Sequence, residues 1–171
     1  MDEIQQLKDR LAISDLLARY TLTIDSNDAR GWASLFTPNG RFEHGNIMIR
    51  GREKLERYAA VHSKLGSRHI TSSPLHFISE DGQSASGKAT TVEIIATRSG
   101  YRISAVGEYR DKLVKVDDNW LIECRRGEEV KLPEDPDFPI LSADPDAGKI
   151  MKILIDAWDD LGEPIPKPPQ K

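Results

Sequence analysis

Four side chains suited to moving protons stand where apolar residues would pack better: Tyr20, Asp25, His69 and Glu93. Tyr20 and Asp25 fall in RYTLTIDSND (residues 19–28), at the end of an amphipathic helical segment. His69 shares parity with Thr71, Ser73, Leu75 and Phe77, so in an unbroken strand it points to the apolar side. Glu93 follows Ala85, Gly87, Ala89 and Thr91 on one strand face, and small residues of this kind line a cavity better than they fill a core. A histidine held by a carboxylate has a fixed tautomer and a basic nitrogen with which to take a proton. A second carboxylate or a tyrosine hydroxyl can then assist a departing hydroxyl or steady a developing enolate. Each residue also has a plain structural reading. A lone inward histidine is commonly a hydrogen-bonded core residue, and Gly87 and Gly107 could simply relieve sheet curvature. On one ideal helix Tyr20 and Asp25 lie about 140° apart at ~100° per residue, so they flank a pocket or the helix ends by Asp25. Of the other histidines, His44 reads as a strand end and His62 as a helix residue near the core edge. His76 opposes Leu75 and Phe77 in parity and is expected on the outer face, while Pro74, of a type that often marks a bulge or edge, weakens the count that turns His69 inward.

The elements that must position these groups read as helices first and strands after. Residues 3–25 form a helix, broken near Ser14, with Ile4, Leu7 and Leu11 as one stripe and Ile13, Leu16, Leu17, Tyr20 and Ile24 as another. Asp28 caps a short helix through Phe36 that carries Trp32 and Leu35, and TPNG (37–40) stops it. Two short strands, 41–44 and 47–50, precede a third helix at 52–65 with Leu55, Tyr58, Ala59, His62 and Leu65 inward. Strands at 69–79, 84–98, 101–116 and 120–130 follow, joined by tight turns as an antiparallel meander requires. Tyr101, Ile103, Ala105, Gly107 and Tyr109 form a face matching that of Glu93. This is an α+β pattern. A Pro/Asp-rich connection (133–145) leads to a helix at 146–161, begun by Asp144 and Pro145, with Ile150, Ile153, Leu154, Ala157, Trp158 and Leu161 on its apolar face. The expected division is a domain at 1–132 and an extension at 133–171 whose helix caps the pocket or a neighbouring subunit.

The whole sequence of 171 residues, 38% hydrophobic and 30% charged, suits one globular domain. A net charge of −4 with scattered basic residues argues against nucleic acid held by phosphate neutralisation. The lone Cys124 permits neither an intrachain disulfide nor a thiolate metal cluster. No apolar run approaches the ~18 residues of a membrane span, and MDEIQQLKDR does not read as an export signal, so a cytoplasmic location is expected.

Three stretches carry a family resemblance: IxDLLARYxxxxDxxDxxxWxxLFTPxGxFE over residues 13–43, Arg68-His69 opening a strand, and GEYRDKLVKVDDNWLIECRR before residue 127. Over residues 4–130 the chain resembles the SnoaL-like branch of the nuclear transport factor 2-like superfamily. That resemblance implies a cone-shaped, curved mixed sheet packed on three N-terminal helices. Relatives of this type include scytalone dehydratase, bile-acid 7α-dehydratase and a lindane dehydrochlorinase. The resemblance implies His69 as base, Asp25 as its orienting carboxylate and Tyr20 as an assisting acid. Glu93 falls where the bile-acid enzyme has an aspartate. That enzyme's C-terminal arginine has no clean match; Arg126 shares parity with Trp120, Ile122 and Cys124, and Arg125 competes with it. Trp32, Glu93, Tyr109 and Arg126 are the expected substrate contacts.

The expected function is a cofactor-independent dehydratase with no metal, acting on a hydrophobic alicyclic or polycyclic molecule in a homo-oligomer, trimer or dimer. The alternatives are a polyketide cyclase or double-bond isomerase, or a non-catalytic module such as a dioxygenase β subunit.

Overall fold

A computed structural model describes residues 2–130 and 145–166, without the side chains of Ser73 and residues 145–151. Of the expected 133–145 connection, residues 133–144 lie outside the described residues, as do the Asp144 cap and the side chain of Ile150. The helices are α1 (Glu3–Asp25), α2 (Ala29–Ser34), α3 (Arg52–His62) and α4 (Pro145–Leu161). The strands are β1 (Phe36–His44), β2 (Ile47–Arg50), β3 (Arg68–Ile78), β4 (Ser84–Thr97), β5 (Gly100–Val116), β6 (Asn119–Glu129) and β7 (Glu163–Pro164). They form one sheet in the order β3-β4-β5-β6-β1-β2-β7. The β1–β6 pair is parallel and the other pairs are antiparallel, so the architecture is α+β with a mixed sheet. No helix among the described residues is long and apolar enough to cross a membrane.

The first helix runs unbroken through Ser14, because that serine is exposed and its neighbours Ile13, Leu16 and Leu17 are buried in one continuous stripe. Ile4, Leu7 and Leu11 are exposed, and the buried residue of that half is Asp9. Its carboxylate accepts hydrogen bonds from Trp120 Nε1 at 2.9 Å and pairs with Lys115 Nζ at 2.6 Å. Asp2 caps the helix start by accepting from the Gln5 N–H. Asn27, in the left-handed region at φ 67°, turns the chain after Asp25. Asp28 caps α2 through the Gly31 N–H, but the helix ends at Ser34 because fully buried Phe36 already pairs with Ile122 of β6.

Three irregularities invert side-chain parity along the long strands. On β3 the register shifts between Ser72 and Leu75, around Pro74. Past that point Leu75 and Phe77 are exposed, while His76 turns inward to Asp111 at 3.1 Å. The expected outward His76 is therefore corrected: proline cannot donate to the ladder, and a bulge accommodates it. On β5, Glu93 pairs with Ala105 and Ile94 with Ile103, leaving Ser104 as an extra residue. Ala105, Gly107 and Tyr109 keep the inner face, but Tyr101 and Ile103 are 79% and 56% exposed, contrary to expectation. On β6, Leu113 pairs with Ile122 and Lys112 with Cys124, so Glu123 is the extra residue. That bulge sends Arg125 inward, fully buried, and Arg126 to the outer face beside Glu43 and Glu128. A bulge adds one residue on one strand, and with a side-chain period of two every later residue changes face.

Between sheet and helices lies an aromatic core of Tyr20, Trp32, Phe36, Phe42 and Tyr58. The last helix buries Leu154, Ala157 and Leu161 against this body, and Ile153 stays exposed. Its Trp158 ring lies 5.5 Å from Phe42 and 5.4 Å from Tyr58, centroid to centroid.

Candidate active site

Asp25, the last residue of α1, meets the start of β3 with both carboxylate oxygens. Oδ2 accepts from the His69 backbone N–H at 2.8 Å, and Oδ1 lies 2.7 Å from His69 Nδ1. Arg68 fastens the same junction by donating to the Asp25 carbonyl at 3.0 Å. The helix ending at Asp25 resolves the angular conflict with Tyr20, which faces the core one turn earlier. An ionised carboxylate at Nδ1 can only accept, so a neutral His69 ring carries its proton there and presents its lone pair at Nε2.

The Nε2 side of His69 faces a cavity lined by Phe42, Tyr58, Thr91, Ala105, Tyr109 and Trp158, among others. Glu93 reaches in from β4, with Oε1 3.8 Å from His69 Nε2. The same oxygen is 3.1 Å from His62 Nε2, and Ser104, the bulged residue of β5, donates to Oε2 at 2.9 Å. His62 and His69 stack with ring centroids 5.3 Å apart. Burial alone would raise the Glu93 carboxyl, but His62 foremost, with His69 and Ser104, holds it down to about 2. The site thus presents an ionised carboxylate between two imidazoles near neutral pH.

Each expected site residue has a definite place. Asp25, His69 and Glu93 converge at the cavity, and Tyr109 forms part of its wall. Tyr20 is buried behind that wall, its ring 5.7 Å from the Tyr109 ring and its hydroxyl interacting with that of Tyr109. Trp32 is buried among Tyr20, Phe36, Phe42 and Tyr58 and does not line the cavity. Arg126 is on the outer face. Cys124 is also away from the cavity, and burial pushes its thiol up to about 12, where it is no nucleophile.

Two groups escaped the sequence reading. His62, on the inner side of α3, is in the cavity itself. Its signal was present, a polar residue four positions after Tyr58 on a buried helical face. Asp111 is the other. It takes a bidentate ion pair from Arg125, 2.7 Å at each oxygen, with both side chains fully buried. The Arg125 guanidinium lies 4.0 Å from the centre of the Tyr20 ring and 4.5 Å from that of Tyr109. Desolvation raises the Tyr109 hydroxyl above its ordinary range although Arg125 opposes it, so it stays protonated. The Asp111–Arg125 pair supports the two tyrosines from below the cavity.

Comparison with known proteins agrees with this architecture. The family model described as a SnoaL-like domain matches residues 5–126. Rv3472 from Mycobacterium tuberculosis, a protein of unknown function, was solved as an aspartate-to-asparagine variant. It is 37% identical, with 98% of this chain and 99% of that chain covered and a TM-score of 0.89. A nuclear transport factor 2-like protein with a cystatin-like fold from Novosphingobium aromaticivorans is 19% identical over 86% of this chain and 92% of its own, at TM-score 0.68. A protein from the same organism, provisionally named a scytalone dehydratase, is 21% identical over 76% and 89%, at TM-score 0.67. The last two likenesses show the fold alone. No curated protein matches the chain.

Proposed function

The chain belongs to the SnoaL-like domain family, and on that premise we propose that it is a lyase, a dehydratase acting on a hydrophobic alicyclic or polycyclic small molecule. The observation that carries this reading is the two-point grip of Asp25 on His69, which leaves Nε2 facing an apolar cavity. His69 takes a proton from the carbon beside a carbonyl, and the electron pair of that C–H bond becomes the new double bond. The β-hydroxyl leaves as water, taking a proton from the Tyr109 hydroxyl, which burial keeps protonated. Tyr20 acts through Tyr109 as a positioning residue. The Glu93 carboxylate offsets the positive charge that His69 acquires. No cofactor is needed for these steps, since the chain supplies base and acid itself.

Incubation with a panel of cyclic β-hydroxy ketones tests the reaction class. The expected product has lost one water; with β,γ-unsaturated cyclic ketones added to the panel, a product of unchanged mass with a shifted double bond would replace elimination by isomerisation, with the same base.

Trp158 of the last helix lines the cavity beside Phe42 and Tyr58. Trp158→Ala is expected to weaken substrate binding by ~1–2 kcal/mol, seen as a roughly tenfold rise in KM with little change in kcat. A fall in kcat alone would instead give Trp158 a part in the chemistry.

Homo-oligomeric assembly belongs to the same proposal. Ile70, Tyr101 and Ile103 are exposed on the outer face of the sheet, an apolar surface on which a second copy can pack. Sedimentation is expected to give a multiple of the 19.2 kDa chain mass, and a monomer at micromolar concentration would remove this part.

A further inference from the structure

His62, His69 and Glu93 each offer one donor atom, and the three atoms all lie within 4.8 Å of one another. His62 Nε2 is 3.1 Å and His69 Nε2 3.8 Å from Glu93 Oε1. A tetrahedral zinc ion with bonds of about 2.0–2.1 Å separates its donor atoms by roughly 3.3 Å, so this spacing accommodates it with small rotations of the side chains. We propose that these residues form a binding site for a first-row divalent cation, Zn²⁺ by donor chemistry, with its open coordination position towards the cavity.

Three observations support a built site rather than a chance cluster. Glu93 Oε1 is buried and lies 3.1 Å from His62 Nε2 without the geometry of a hydrogen bond, which leaves it open to a further partner. The other Glu93 oxygen is held by Ser104, which fixes the carboxylate orientation. Behind His69 stands Asp25 at 2.7 Å from Nδ1, the carboxylate–histidine arrangement that orients an imidazole ligand and raises its basicity towards an ion at Nε2. Two imidazoles and one carboxylate form a donor set that suits zinc and related ions better than Mg²⁺ or Ca²⁺, which take oxygen ligands. Cys124 is not needed for the site.

The ion and the substrate proton compete for the same nitrogen. Zn²⁺ therefore inhibits the proposed elimination, a consequence that rests on His69 being its base; binding itself does not depend on that assignment.

The test needs no substrate. The full chain, stripped with chelator and dialysed, is titrated with ZnCl₂ against a chromophoric chelator at neutral pH, with MgCl₂ as the control. The expected result is one saturable Zn²⁺ per chain and no saturable Mg²⁺ binding. His62→Gln and Glu93→Gln are each expected to weaken the affinity at least a hundredfold. Asp25→Asn, which touches no ion, should weaken it by about 10–100-fold. Co²⁺ in place of Zn²⁺ is expected to give visible bands of a four- or five-coordinate nitrogen–oxygen site, without a thiolate charge-transfer band. Circular dichroism shows that each variant is folded, and a ligand variant that does not fold is replaced by Ser104→Ala, expected to weaken binding about tenfold. Absence of saturable Zn²⁺ binding would overturn the site, as would affinity unchanged in both ligand variants. Either failure leaves the proton-transfer reading intact, because that reading stands or falls on turnover by the metal-free protein.

Discussion

His69→Ala is expected to lower kcat/KM on an identified substrate by about three orders of magnitude, in the middle of the 10²–10⁴ range for a positioned general base. Asp25→Asn should cost almost as much. An asparagine can present its NH₂ to Nδ1, which stabilises the opposite tautomer and puts the ring proton on Nε2, where the base is needed. The stability readout separates catalysis from support. Asp25 and His69 are held largely out of water for a contact that an apolar core would make more cheaply. His69→Ala is therefore expected to leave Tm unchanged or raised, as for residues selected for activity over stability. A variant that loses several degrees in Tm while keeping full turnover would make the pair a structural hydrogen bond.

The largest expected loss of stability is at Asp111. Asp111→Asn leaves the fully buried Arg125 guanidinium without its counter-charge, at a cost of about 3–5 kcal/mol. That is a large share of the roughly 5–15 kcal/mol by which domains are stable. Replacing both partners, as Asp111→Leu with Arg125→Met, should recover much of the loss, because two apolar side chains require no pairing. Urea unfolding of the three variants checks both statements. The pH dependence has a definite sign. Burial would raise the Asp111 carboxyl, but Arg125 and then His76 outweigh it and hold it at about 2, below the 3.8 of an unperturbed aspartate. A carboxylate depressed by folding contributes stability that is complete above its unfolded range and is lost as pH falls through the folded value. The wild type should therefore lose stability more steeply than Asp111→Asn between about pH 4 and pH 2. Equal slopes would mean that Asp111 carries no such linkage.

How much of this was legible from sequence depends on how each feature is encoded. The helices and the meander follow from hydrophobic periodicity, and polar residues set on apolar faces mark Asp25 and His69 as candidates; their pairing is implied by the family resemblance. The small-residue face of β4 largely holds, since Ala85, Ala89, Thr91, Glu93 and Ile95 are buried and Gly87 is half-buried. Counting by parity fails downstream of each bulge, at Pro74, Ser104 and Glu123. Only the first has a residue that signals it. Ser104 and Glu123 are ordinary strand residues, and their extra insertion is set by the curvature of the whole sheet. This is why Arg125 and Arg126 could not be ranked and why the Asp111–Arg125–His76 network was missed. Asp111 alone, alternating with Tyr109 and Leu113, did show an acid on an inner face. His62 carried a similar signal and was read as a core-edge residue, because helical spacing alone cannot say that its face borders a cavity.

Proton abstraction by His69 precedes elimination, isomerisation and cyclisation alike, so exchange at the substrate carbon tests the central claim without deciding among them. Cyclic β-hydroxy ketones are incubated in D₂O with wild type, His69→Ala and Asp25→Asn, and deuterium at the carbon beside the carbonyl is followed by NMR. The account predicts enzyme-dependent exchange on at least one member of the panel, lost in His69→Ala and strongly slowed in Asp25→Asn, with all three proteins folded. Exchange or turnover by His69→Ala at the wild-type rate would contradict it.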